Sequence, residues 1–320
     1  MRRAVALLAA SLALAGIATG CGGGGAEPGA PIGATVVLDF TPNAVHAGIF
    51  AARAQGFYKD AGVDLHVQVP GESTDAPKLL AAGRTEFAIL DITDLGIARE
   101  KGLRLVGVMP IVQRPLAAIL ARADRGVASP KDLEGKTVGV TGLPSDEAVV
   151  ESEVAAAGGD PSKVEEVTIG FDAVSALAAG KVDAATGFWN AEGVTLAEKG
   201  VPIRTFKVDE YGAPPYPELV LTTTERVLHQ QPELVESVVA ATRRGYRFAE
   251  ADPAKALDDL LAADPSLQRA DQQAELKVLL PALTPSPFKP RVLRQWAAWA
   301  LVHGLLHKKL RVKEAFELAP

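Results

Sequence analysis

From Ala34 onward, short apolar runs rich in Val, Ile and Leu alternate with longer stretches in which apolar residues recur every three or four positions. The short runs predict strands over 35–40, 63–69, 86–90 and 103–109, and again over 116–121, 137–140, 164–169, 182–186 and 203–208. The longer stretches predict helices over 47–55, 75–82, 94–101, 145–157, 173–179 and 191–199, with a short capped helix at 129–133. Gly56, Gly83 and Gly102 stand just past helix ends, where a left-handed backbone is needed. Strands alternating with helices imply right-handed crossovers and mainly parallel sheets. The pattern restarts near Pro115, giving two α/β blocks, 34–114 and 115–212. The remainder reads as helical, over 232–251, 253–262, 272–280 and 291–306. Ligands of open α/β sheets bind beyond the carboxyl ends of the strands. The loops after Phe40, Leu90, Val140 and Thr186 are therefore where chemistry is expected.

The first residues follow a different pattern. Arg2 and Arg3 precede an apolar run from Ala4 to Ile17, short of the roughly 20 residues that span a bilayer. This is the arrangement of a secretory signal. Ala18, Thr19 and Gly20 lead directly to Cys21, the only cysteine, and the segment resembles a bacterial lipoprotein cleavage site, with Ala18 where an aliphatic residue is usual. The expectation is a signal peptide over 1–20, acylation of Cys21, and a Gly-rich tether over 21–33. The chain would then be held at the outer face of the cytoplasmic membrane. The alternative is an ordinary signal with an incidental cysteine. Acylation also removes a thiol that would be a liability in an oxidising compartment.

Composition narrows the function. The 320 residues suit about two domains, and 48% hydrophobic with 22% charged residues excludes a disordered chain. A formal charge of −6 argues against a nucleic-acid partner. One cysteine excludes a disulfide framework and a multi-cysteine metal site. His303 and His307 lie one helical turn apart without an acidic third ligand nearby, so no metal and no cofactor are expected. Aromatic residues are few, with ten Phe, four Tyr and three Trp, so those in predicted loops carry weight.

Two of those loops are distinctive. Asp39-Phe40-Thr41-Pro42-Asn43-Ala44-Val45-His46 and Gly187-Phe188-Trp189-Asn190-Ala191-Glu192, with Gly56-Phe57-Tyr58-Lys59 and Leu133-Glu134-Gly135-Lys136, resemble the solute-binding lipoproteins of ABC importers related to the fungal thiamine-pyrimidine synthase. The resemblance covers about residues 34–265. It implies a type II periplasmic-binding-protein fold, with two α/β lobes and a hinge crossed twice. Lobe 1 would be 34–114 plus 213–320, and lobe 2 would be 115–212. The implied ligand is a thiamine pyrimidine precursor, an aminopyrimidine held between the lobes of a monomer. The implied partners are an ABC permease with its ATPase. Riboflavin, or a sulfonate or nitrate-like anion, is the alternative ligand. The synthase is itself an enzyme with a cysteine-rich motif and iron. The corresponding segment here, Tyr211 to Val220, contains no cysteine, so a binding protein is expected rather than an enzyme.

A flat polar heterocycle needs aromatic faces and in-plane donors and acceptors. In the first loop Asp39 can accept from an exocyclic amine and Asn43 both donates and accepts. His46 either bonds the ring or caps the following helix, and Phe40 either faces the ligand or ends a buried strand. Asp91 follows the third strand. Ser145 opens a helix whose backbone N–H groups can hold a polar edge, or simply caps it. Phe188, Trp189 and Glu192 form the second-lobe set, with Tyr216 and Glu218 after the second crossing.

Overall fold

The computed structural model describes residues 30–71 and 75–318. The signal segment and Cys21 lie outside them. Among the described residues, ten strands form two five-stranded sheets. The first contains β1 (Ile32–Val37), β2 (Val63–Gln68), β3 (Phe87–Asp91), β4 (Leu105–Pro110) and β10 (Leu219–Thr224), in the order β2-β1-β3-β10-β4. The second contains β5 (Ala117–Arg122), β6 (Thr137–Val140), β7 (Glu165–Thr168), β8 (Ala184–Phe188) and β9 (Ile203–Lys207), in the order β7-β6-β8-β5-β9. Each sheet with its helices is one α/β lobe.

The sheets are mixed rather than wholly parallel. β1 runs parallel to β2 and β3, and β6 parallel to β7 and β8. β10 enters the first sheet antiparallel to both neighbours, as β5 does the second. Each inserted strand is the first after the chain changes lobe, so it arrives from the opposite end. β10 falls in a stretch that the sequence pattern leaves without a strand. Its three threonines are buried where a strand of this kind usually carries aliphatic groups. Thr223 satisfies its hydroxyl on the Glu86 carbonyl at 2.6 Å, and Thr224 caps the next helix by accepting from Val227 N–H. β1 begins at Ile32, inside the expected tether.

The two crossings pair with each other. Ile111 N–H donates to the Leu219 carbonyl at 2.8 Å, and Glu218 N–H to the Val112 carbonyl at 3.0 Å. The hinge is thus a short two-stranded connection and not two loose linkers.

Close packing fixes the loop after β1. Helices Ala47–Ala54 and Pro232–Ala251 touch at Gly48 and Gly245. A Cβ on Gly245 would lie 2.1 Å from the Gly48 carbonyl oxygen, and one on Gly48 would lie 2.4 Å from the Tyr246 ring. The Tyr246 hydroxyl donates to the Val45 carbonyl at 2.8 Å. The helix Pro290–Val302 packs Trp296 against Gly96 in the first lobe, while Trp299 Nε1 donates to Ser152 Oγ in the second at 3.2 Å. His303 pairs with Glu151, whereas His307 lies against Glu100, so the two imidazoles do not converge. No group of three potential metal ligands is assembled among the described residues.

Candidate ligand-binding cleft

The carboxyl ends of both sheets meet the hinge. After β3, Ile92 N–H donates to the Glu218 carbonyl at 2.9 Å; after β8, Trp189 N–H donates to the Leu116 carbonyl at 3.0 Å. The Glu218 carboxylate then accepts Leu116 N–H at 2.6 Å, joining one crossing to the other. The ends of β3 and β8 therefore flank this junction, and the loops after β1 and β6 leave the carboxyl ends of the parallel strands beside them, where an open α/β sheet binds its ligand.

In the first loop, Asn43 accepts from Val45 N–H at 3.0 Å and its amide donates to the Thr41 carbonyl at 3.1 Å. Its backbone N–H donates to His46 Nδ1 at 3.2 Å, and His46 Nε2 lies 2.8 Å from Asp39 Oδ1. A ring nitrogen that accepts from N–H is unprotonated, so the proton sits on Nε2 and is donated to Asp39. His46 is fully buried, with both nitrogens committed. The imidazole closes the turn Ala44–His46 on Asn43 N–H and makes no side-chain cap on the helix Ala47–Ala54. Its effect is to aim Asp39, whose Oδ2 keeps no partner among the described residues. Phe40 is 52% exposed and does not end a buried strand.

Beneath it lies a row of carboxyls. Asp91 accepts from Thr93 N–H at 3.5 Å, capping the helix Ile92–Glu100. Its carboxyl also contacts that of Glu218. Two carboxyls in contact share a proton. Burial pushes Glu218 up to about 7, opposed by the Leu116 N–H. Asp91 is raised well above the usual range by burial and then by the Glu218 charge. Asp94 is raised by burial and by Asp39. Asp94 went unremarked in the sequence, although its place one turn after Asp91 puts both on one face.

In the second lobe, Glu192 Oε2 accepts Phe188 N–H at 2.8 Å, closing the turn from β8 into the helix Glu192–Glu198. The N-cap residue of the helix Pro144–Ala156 is Leu143, and the first-turn side chain that bonds back to it is Asp146, while Ser145 is half-buried. Asp146 Oδ2 accepts from Gly142 N–H at 2.9 Å, Leu143 N–H at 3.1 Å and Thr141 Oγ1 at 2.5 Å. Its Oδ1 accepts from Thr186 Oγ1 at 2.8 Å, which ties the β6 loop to β8. Asn190 is buried with no partner for Oδ1.

Two expected aromatic contacts are placed elsewhere. Trp189 is 8% exposed, its Nε1 donates to the Pro115 carbonyl at 2.9 Å, and its ring lies 4.4 Å from Lys207 Nζ. It turns toward the hinge flank. Tyr216 is buried and stacked on Trp299, with ring centroids 5.8 Å apart, and belongs to the core. Glu218 is buried as well. The large apolar side chains left open at strand carboxyl ends are Phe40 and Val69 in one lobe and Leu143, Phe171 and Phe188 in the other. Leu143 and Phe171 follow β6 and β7 and Phe188 ends β8, three strands that are neighbours in the sheet.

This is the architecture of a periplasmic binding protein, two α/β lobes around one cleft. The periplasmic aliphatic sulphonate binding protein of Escherichia coli superposes with a TM-score of 0.76 at 14% identity, over 91% of this chain and 94% of that one. The chain belongs to the NMT1/THI5-like family, whose model matches residues 43–256. It is 32% identical to a formylaminopyrimidine-binding protein of Halalkalibacterium halodurans over 88% of both chains. It is 26% identical to a 4-amino-5-hydroxymethyl-2-methylpyrimidine phosphate synthase of Legionella pneumophila, over 73% of this chain and 74% of that one.

Proposed function

We propose that the protein is the extracytoplasmic solute-binding component of an ABC importer and captures an aminopyrimidine of the thiamine-precursor class. The observation that carries this reading is the pairing of exposed aromatic side chains on both lobes with an acidic floor. Phe40 lies beyond the end of β1 and Phe188 ends β8, and Asp39 supplies an acceptor beside the raised carboxyls of Asp91 and Asp94. A flat ring gains by stacking between such faces, and its exocyclic amine donates to a carboxylate. An anionic sulfonate or nitrate would find carboxyl groups there in place of the cationic or N–H donors it needs. The similarity to a formylaminopyrimidine-binding protein supports the same ligand class.

Closure of the lobes over the ligand follows from contacts made to both walls. Delivery then needs a permease with its ATPase, and the anchor is Cys21. The role is binding without chemistry, since Tyr211–Val220 carries none of the synthase's cysteines.

A thermal-shift panel of formylaminopyrimidine, riboflavin, an alkanesulfonate and nitrate tests the ligand class. At one hundred times its dissociation constant, the pyrimidine should add about 2.7 kcal/mol of stability. A response to riboflavin or the sulfonate alone overturns the assignment.

A further inference from the structure

The recess beside Trp189 is lined by none of Asp39, Phe40, Asp91 or Phe188. It has a volume of about 380 Å³ and is lined by Arg114, Trp189, Thr205, Lys207 and the helix residues Val278 and Pro281, a size within the range of small-molecule sites. Its walls come from three parts of the fold: the first crossing, the second sheet, and the helix Arg269–Leu283. Thr205 and Lys207 point to one side of β9 because side chains alternate along a strand.

The charges in it are unequally satisfied. Arg114 is paired with Asp209 at 2.8 Å and Glu210 at 3.4 Å. Lys207 has no carboxylate partner among the described residues, and its ammonium rests over the Trp189 ring instead. A cation over an aromatic face is attracted by it, yet it keeps its N–H donors for an acceptor. Opposite stand apolar Val278, Pro281 and Ala282.

We infer that this recess is a second binding site, for a small organic monoanion. Its carboxylate pairs with Lys207 and bonds the Thr205 hydroxyl, and its apolar body lies on the Val278–Pro281 wall. Because the walls belong to the hinge, the second sheet and the C-terminal helix together, an occupant contacts parts that move relative to one another when the lobes close.

Benzoate is the probe. The full-length chain carries three tryptophans, so its indole N–H resonances can be followed singly, with Trp189 assigned by the Trp189→Phe variant. Titrating benzoate should shift the Trp189 indole signal saturably and leave Trp296 and Trp299 in place. Lys207→Gln should weaken that binding at least about tenfold, as expected for loss of a charge-assisted bond. Val278→Asp, which puts a carboxylate on the exposed wall, should do the same by repulsion. Wild-type melting temperatures in both variants show that the fold is intact. Absence of a saturable shift, an unchanged affinity in both variants, or an equal response to methylammonium overturns the proposal.

Discussion

The Glu218 carboxylate accepts the backbone N–H of Leu116 at 2.6 Å while its own carboxyl touches that of Asp91. One side chain thus joins the two crossings and reaches the floor of the cleft. With a pKa near 7 against an ordinary 4.5, Glu218 holds its proton more tightly folded than unfolded. Stability is therefore full at low pH and falls as pH rises through the window from 4.5 to 7, by an amount on the order of 3 kcal/mol. Glu218→Gln keeps an acceptor for Leu116 and removes this ionisation. Urea unfolding at pH 5 and pH 8 should show a smaller fall in the variant. Parallel wild-type and variant profiles would refute the shared proton.

Asp39 is aimed by His46 and offers Oδ2 to the cleft. Asp39→Asn retains Oδ1 as an acceptor for His46, so stability should change by less than about 1 kcal/mol. Affinity for formylaminopyrimidine should fall about tenfold or more, since an amide cannot replace the carboxylate in a charge-assisted bond. Calorimetric titration of both forms checks this. His46→Ala, in contrast, should destabilise by about 2 kcal/mol, because it strips two bonds from a buried loop.

Phe40 and Phe171 are exposed, at 52% and 73%. Their alanine variants should melt within about 0.5 kcal/mol of wild type. Loss of an aromatic face should cost Phe40→Ala about tenfold in affinity. Phe171→Ala reports how far along the second lobe the ligand extends. A large stability loss in either would place that ring in the core instead.

Gly245→Ala tests the packing behind the first loop. A methyl group 2.1 Å from the Gly48 carbonyl cannot be accommodated without moving a helix. A loss of about 3 kcal/mol or more is expected by chemical denaturation.

The alternation of strands and helices was legible because most of the short apolar runs stand next to a glycine or proline. Helix 232–251 matches residue for residue, since its apolar stripe is regular. β10 was not legible: Leu219–Thr224 is apolar in its first half and threonine in its second, and neither half alternates. The exposed rings of Phe40 and Phe188 follow from their loop motifs. Trp189 and Tyr216 do not, because the neighbours that bury them, Lys207 and Trp299, come from distant parts of the chain. Asp146 was passed over for Ser145, the commoner cap, although a carboxylate satisfies more N–H groups at once. Phe171 carries no motif; only the order of β7, β6 and β8 brings it beside Leu143 and Phe188.

The most direct test is isothermal titration of the purified protein with formylaminopyrimidine, with riboflavin and an alkanesulfonate as comparisons. The account predicts saturable binding of the pyrimidine at one site per chain, lost or strongly weakened in Asp39→Asn and Phe40→Ala. Tight binding of riboflavin or the sulfonate with none of the pyrimidine would contradict it.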